Sequence, residues 1–312
     1  MPVFSFPMKK TASTPRYRGR FAPSPTGPLH FGSLVAALGS YLDARANRGS
    51  WRVRIEDLDQ TRAVTGAADE ILRTLEQFGF EWDGTVLYQS QRSDLYAHHL
   101  NLLLQADLAY PCGCSRKEIN LAANQGIEGA IYPGTCSRGL PPGRQARAIR
   151  LRTFDQATRF NDAVQGPQFQ RLAQEIGDFV VRRADGFHAY QLAVVVDDAL
   201  QGITRVVRGA DLLLSTPRQI HLQQLLEFPA PAFAHLPLVV DRTGRKLSKQ
   251  SGDAPVDARK PLPALLLALV HLGQPMPSEP PLGLDEFWEW AICHWSMAAV
   301  PKKLAALPSQ LC

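Results

Sequence analysis

Cys112 and Cys114 flank a single glycine, and Cys136 follows in the same stretch of chain. Thiolates at such spacing are what a structural zinc ion binds, and zinc in such sites takes four ligands. No histidine lies between His99 and His188, so a fourth ligand must be of another kind; the alternative is three free buried cysteines. The chain holds five cysteines in all. An odd number with three crowded together argues against a disulfide framework and for a reduced, cytoplasmic setting. Cys293 and Cys312 are too distant along the chain to join the cluster and are read as free.

A second chemistry is written in Arg20-Phe21-Ala22-Pro23-Ser24-Pro25-Thr26-Gly27-Pro28-Leu29-His30-Phe31-Gly32-Ser33. A short apolar strand, a Pro/Gly turn and a helix start make a seat for phosphate, because backbone N–H groups and the helix dipole point at the anion. His30 adds a ring donor, and Gly32 a place where no side chain blocks a nucleotide. Lys246-Leu247-Ser248-Lys249-Gln250, bracketed by Gly244 and Gly252, sets two cations around a serine. Such a run is either a solvated loop or a phosphate clamp. The strand Trp51-Arg52-Val53-Arg54-Ile55 ends in the carboxylates Glu56, Asp57 and Asp59. An open α/β sheet gathers ligand-binding groups at such strand ends.

The elements that must position these groups follow from periodicity. Leu34, Leu38, Tyr41 and Leu42 define one buried helix face, with Gly49 placed as terminator. Ile71, Leu72, Leu75 and Phe78 mark a second helix closed by Gly79; Val86-Leu87-Tyr88 reads as a strand, and Tyr96, Leu100 and Leu103 as a third helix face. Alternating strands and helices predict a doubly wound parallel sheet. From about Leu108 to Asp185 the chain turns loop-rich and carries the cysteines with Arg144, Arg147, Arg150, Arg152 and Arg159. This basic cluster is either an exposed face or a contact for RNA backbone. Tyr190 to Asp198 is predicted as a buried strand ending in paired acids, and Asp197 and Asp198 are left out of the site as capping groups. A helix from Thr216 to Leu226 is expected, with Thr216 as N-cap and Pro217 in the first turn. Leu262 to Cys312 reads as helical, with Trp288, Trp290 and Trp295 in the core.

The chain has 312 residues and a net charge of +5, which permits an acidic partner without requiring one. No apolar run approaches the roughly 20 residues of a membrane span, and residues 1–16 read as a loose leader.

Taken together, His30-Phe31-Gly32-Ser33 and Lys246 to Gln250 resemble the HIGH and KMSKS motifs of class I aminoacyl-tRNA synthetases. Five blocks in order resemble glutamyl-tRNA synthetases: Arg20 to Ser33, Arg54 to Asp59, Tyr190 to Asp198, Val207 to Asp211 with Ser215 to Gln219, and Lys246 to Gln250. Phe31, Ser33, Leu247 and Gln250 depart from the ideal motifs while His30 and both lysines stay. Only 62 residues follow Gln250 (312 minus 250). With the cysteine cluster, this resembles a truncated branch of the family that lacks the anticodon-binding domain and glutamylates the queuosine base at the wobble position of tRNA(Asp).

The resemblance implies a Rossmann-like catalytic domain in two halves, 17–107 and 186–260, a zinc-containing insertion over 108–185, and a short helical region over 261–312. It implies an ATP-dependent ligase acting as a monomer, whose partners are ATP with Mg²⁺, L-glutamate and tRNA(Asp) carrying queuosine, with no membrane. His30, Lys246 and Lys249 would be catalytic, with His30, Gly32 and Lys249 at the ATP. Arg20, Phe21, Ala22, Pro23, Ser24, Glu56, Tyr190 and Arg208 would bind glutamate: the two arginines as forks for carboxylates, Glu56 as anion for the ammonium group. A strand-end salt bridge to Arg54 is the other reading of Glu56. Tyr132 would complete the zinc ligands. The competing readings are a short synthetase charging a tRNA 3′ end and a catalytically silent zinc module that binds RNA.

Overall fold

The computed structural model describes residues 16–241, 244 and 255–307. Lys246, Lys249, Cys312 and nearly all of the expected leader lie outside them. β1 (Arg18–Phe21) is followed by α1 (Phe31–Ala46), β2 (Ser50–Ile55), α2 (Ala67–Gln77), β3 (Leu87–Tyr88) and α3 (Ser93–Gln105). β1 pairs in parallel with β2, Arg18 opposite Ser50 and Phe21 opposite Val53, and β2 pairs in parallel with β3. Parallel neighbours need a crossover, and α1 and α2 provide it. Leu34, Leu38, Tyr41 and Leu42 are all buried on α1, as their spacing requires.

The end of α1 is not set by Gly49. The left-handed residue is Arg48, with φ 52°. Gly49 is needed for close approach: a Cβ there would stand 2.7 Å from the Tyr17 carbonyl oxygen. Gly79 does stop α2, at φ 77° with its N–H on the Glu76 carbonyl.

The middle of the chain holds β4 (Ala109–Cys112), α4 (Arg116–Ala122), β5 (Gln125–Gly126), β6 (Gly129–Ala130), β7 (Ala148–Leu151), β8 (Ala157–Asp162), β9 (Gly166–Arg171), α5 (Leu172–Glu175) and β10 (Phe179–Arg182). β10, β7 and β4 form an antiparallel sheet, so this region is less loop-rich than its composition suggests. The hairpin β8–β9 leaves it and joins the strands that follow.

Those are preceded by α6 (Tyr190–Leu200) and include β11 (Arg205–Gly209), α7 (Thr216–Leu225), β12 (Ala232–Leu236) and β13 (Leu238–Val239). β11 and β12 pair in parallel over five residues, and β12 meets β8 at Phe233 opposite Asp162. Thr204 ties this half to the first: its N–H donates to the Arg18 carbonyl and its Oγ1 accepts from the Arg18 N–H. α8 (Pro261–His271), α9 (Leu284–His294) and β14 (Ala305–Ala306) complete the described chain. Leu265, Leu269, Phe287 and Trp288 join the core around α1, whereas Trp290 and Trp295 are only partly buried against it.

Two further expectations are corrected. Tyr190–Asp198 is a helix, not a strand. Every residue from Leu192 to Asp198 is buried, and a segment apolar on all faces carries no period that distinguishes the two. Thr216 is not an N-cap, because a 3₁₀ turn over Ala210–Ser215 runs directly into α7 and the Thr216 hydroxyl is engaged elsewhere.

Candidate active site

A cleft of about 650 Å³ opens where β1, β2 and β11 end and α1 begins. Every glutamate- and ATP-site residue expected from sequence and described in the structure lines it: Arg20, Phe21, Ala22, Pro23, Ser24, His30, Gly32, Glu56, Tyr190 and Arg208. The three carboxylates after β2 have separate tasks. Glu56 faces the cleft; Asp57 accepts from the Ser90 N–H and hydroxyl; Asp59 pairs with Arg183 at 2.7 Å on the cleft wall.

Beneath the cleft lies a buried charge network. Arg20, 3% exposed, reaches Asp198 at 3.2 Å, and the fully buried Arg54 reaches the same carboxylate at 2.8 Å. Arg54 also lies 3.4 Å from Glu56, so Glu56 is at once a cleft residue and the strand-end partner of Arg54. Asp197 accepts from Arg92, Gln89 and Tyr96. Burial would raise the Asp198 carboxyl, but the guanidiniums of Arg20 and Arg54 outweigh it and hold it below the usual carboxylate range. For Glu56 burial prevails over Arg54 and Arg20, and its pKa is raised.

Arg208 differs from these arginines. It is 6% exposed, and the acceptors it meets are neutral: His235 Nε2 at 3.0 Å, Thr216 Oγ1 at 2.9 Å, Gln219 Oε1 at 2.8 Å, and Tyr190 and the Leu212 carbonyl at 3.4 Å. No ion pair joins it to a carboxylate among the described residues. Burial depresses its pKa, as expected for a cation removed from water. A buried guanidinium opening on a cleft without a contacting carboxylate is a seat for an anionic ligand.

On the opposite side the N-terminus of α1 faces the cleft. His30 is its N-cap, with Nδ1 accepting from the Ser33 N–H and Nε2 2.8 Å from the Ser33 hydroxyl, and the first turn carries no acid. The chain flanking the lysine loop is anchored at this site: Val239 lines the cleft, and Pro255 forms a β-bridge with His30.

The cysteine cluster assembles away from the cleft. The Sγ atoms of Cys112, Cys114 and Cys136 lie within 4.8 Å of one another. Cys114 and Cys136 are 3.6 Å apart, and Tyr132 Oη is 3.3 Å from Cys112 and 3.6 Å from Cys114. A tetrahedral zinc with bonds near 2.3 Å to sulfur and near 2.1 Å to oxygen has ligand separations of about 3.5–3.8 Å. The three sulfurs could hold a metal ion of that size, with Tyr132 Oη beside them. Arg150 lies over the Tyr132 ring at 3.9 Å with Nε 3.4 Å from Cys112 Sγ. Burial acts to raise the Cys112 thiol, but its hydrogen bonds with Tyr132 and Arg150 lower it overall.

The basic cluster is largely committed within the fold. Arg150 is held as described, Arg152 bonds Asp107 and covers the Tyr110 ring, Arg144 pairs with Glu118, and Arg159 covers Phe169. Arg147 stays exposed. Sequence reasoning missed Asp198, which anchors Arg20 in the site, and the buried partners of Arg208. Reading residues 190–198 as helical would have placed Tyr190 and Asp197, two turns apart, on one face. Nothing local in the sequence signals Asp162 or His235.

Residues 16–270 match the family model of class I tRNA synthetases (E and Q), catalytic domain. The chain belongs to this family. It is 57% identical over 295 residues to a glutamyl-Q tRNA(Asp) synthetase of Aromatoleum aromaticum, covering 94% of this chain and 93% of the relative. A protein of the same name from Dechloromonas aromatica is 57% identical over 94% of this chain and 99% of its own length. Among solved structures, a glutamate-tRNA synthetase from Elizabethkingia anophelis superposes with a TM-score of 0.78 at 26% identity, over 93% of this chain and 68% of that one.

Proposed function

We propose that this chain is an ATP-dependent ligase that activates L-glutamate as glutamyl adenylate and transfers the glutamyl group to the queuosine base at the wobble position of tRNA(Asp). The observation that carries the activation step is one cleft holding both a buried guanidinium whose described contacts are all neutral, Arg208, and the N-terminus of α1. A substrate carboxylate suits the first and a nucleotide phosphate the second.

In the activation step a glutamate carboxylate oxygen attacks the α-phosphorus of ATP, the bond from that phosphorus to the bridging oxygen breaks, and pyrophosphate leaves. Positioning and charge neutralisation supply most of the rate in such phosphoryl chemistry. Arg20 and Arg208 would fix the two carboxylates of glutamate, Tyr190 would add a hydroxyl, and Glu56 would take the ammonium group. Phe21, Ala22, Pro23 and Ser24 would supply the floor beneath it. His30 and Gly32 at the head of α1 would face the phosphates. Lys246 and Lys249 would meet the negative charge leaving with pyrophosphate. Mg²⁺ accompanying ATP would neutralise phosphate oxygens. Zn²⁺ on Cys112, Cys114, Tyr132 and Cys136 would staple the insertion over 108–185 between the catalytic halves.

The acceptor follows from the relatives named glutamyl-Q tRNA(Asp) synthetase, which match this chain over nearly its whole length. A second reading, charging of a tRNA 3′ end, draws on the structural likeness to glutamate-tRNA synthetases. Labelled glutamate and ATP, supplied with bulk tRNA from cells that make queuosine and from cells that do not, separate the two. Label confined to the first pool and surviving periodate oxidation of the 3′ end is the expected result. Label in both pools that periodate abolishes would replace it with 3′-end charging, and no label in either would leave an RNA-binding module.

A further inference from the structure

Arg208 is the one arginine at the base of the cleft whose described contacts are all to neutral groups, and that selection of partners has a source deeper in the fold. His235 sits on β12 and Asp162 at the end of β8, both fully buried, at the point where the two strands meet. His235 Nδ1 is 2.6 Å from Asp162 Oδ2, while Nε2 is 3.0 Å from Arg208 Nε. A guanidinium N–H can only donate, so Nε2 must carry a lone pair and the ring proton must lie on Nδ1, donated to Asp162. Asp162 is in turn held by the N–H groups of Val164, Gln165 and His235. On the other side of the guanidinium, Thr216 Oγ1 accepts from Arg208, its own proton being within reach of the Leu212 carbonyl at 3.2 Å and of His235 Nε2 at 3.1 Å. Gln219 gives its amide N–H to Gln191 and turns its oxygen to Arg208.

We propose that Asp162 and His235 are positioning residues for Arg208. Asp162 fixes the His235 tautomer, and His235 Nε2, Thr216 and Gln219 then hold the guanidinium with neutral acceptors only, keeping its charge for a carboxylate of the substrate. A carboxylate at any of these places would orient Arg208 equally well and neutralise it. The arrangement thus sets preference for a glutamate carboxylate over the glutamine amide. It rests on the assignment of Arg208 to glutamate binding, and within that to the side-chain carboxylate, the only group by which glutamate differs from glutamine.

Two near-isosteric variants test it in the full-length enzyme. Asp162→Asn can turn its amide N–H toward Nδ1, which moves the ring proton to Nε2 and faces it against Arg208. Gln219→Glu puts a carboxylate on Arg208 directly. Each is expected to raise KM for glutamate about ten-fold or more, to narrow the discrimination against glutamine, and to leave KM for ATP in place. His235→Gln retains an acceptor without a tautomer, so adding Asp162→Asn to it should cost little more than His235→Gln alone. Unchanged glutamate KM in folded Asp162→Asn and Gln219→Glu, with active wild type, would overturn the proposal. An equal rise in KM for glutamate and ATP, which is what general loss of structure gives, would overturn it too. If Asp162→Asn does not fold, Gln219→Glu decides alone. Wild type unable to glutamylate any tRNA, or a KM for glutamate unmoved by Arg208→Ala, would instead remove the functional reading beneath it.

Discussion

Asp198→Asn probes the buried network under the cleft. The wild-type carboxylate serves two guanidiniums, Arg54 at 2.8 Å and Arg20 at 3.2 Å, all three groups being almost wholly buried. Asparagine keeps the shape and one acceptor but removes the charge, leaving Arg20 and Arg54 to repel across a medium that screens little. Breaking such a buried pair costs about 3 kcal/mol, which in a chain of 312 residues lowers Tm by about 5 °C. The loss should depend on pH. The Asp198 pKa is depressed in the folded protein, so its stabilisation is complete above the ordinary carboxylate value near pH 4 and disappears as pH falls through the folded-state value. Melting curves of wild type and variant should therefore lie apart at neutral pH and converge on acidification. KM for glutamate should rise about ten-fold as Arg20 loses its anchor. A variant melting within about 1 °C of wild type at neutral pH, with unchanged KM, would refute the idea that Asp198 organises the arginines.

Cys114→Ser should lose bound zinc and lower stability while KM for glutamate stays near wild type, because the cluster lies outside the cleft; metal analysis showing full zinc content would remove Cys114 from the ligand set. Lys249→Ala should slow ATP–pyrophosphate exchange by about 100-fold, the scale of a lost charge contact to a developing anion; near-normal exchange would take the lysine loop out of the reaction. Gly79→Ala should destabilise by about 2 kcal/mol, since φ is 77° and a Cβ would stand 2.6 Å from Trp288 Nε1. A denaturation midpoint equal to wild type would show that the α2–α9 contact yields without cost.

The legible parts of this protein are those written in contiguous residues. The turn from Phe21 to His30 and the helix behind it could be read directly, because a Pro/Gly turn before a regular apolar period has few other solutions. The cysteine cluster was readable from the rarity of the residue and its spacing. The helix Tyr190–Leu200 was not, for a reason physical rather than accidental: burial on every side erases the alternation on which periodicity depends. Asp197 and Asp198, read from the sequence as capping groups and left out of the site, instead pair with the buried arginines beneath it.

Sequence by itself determined the inventory of this chain: which side chains carry the chemistry, the alternation of strand and helix, and the family to which the blocks belong. It did not determine which charges cancel. Arg20, Arg54, Arg92 and Arg208 look alike in the sequence, yet the first three meet carboxylates and the described partners of the fourth are all neutral. Leu212, Thr216 and Gln219 follow Arg208 closely in the chain, but Tyr190 comes from α6 and His235 from β12, 27 residues on, where Asp162 of β8 holds it. Ion pairing acts over a few ångströms, and only the tertiary structure sets distances on that scale.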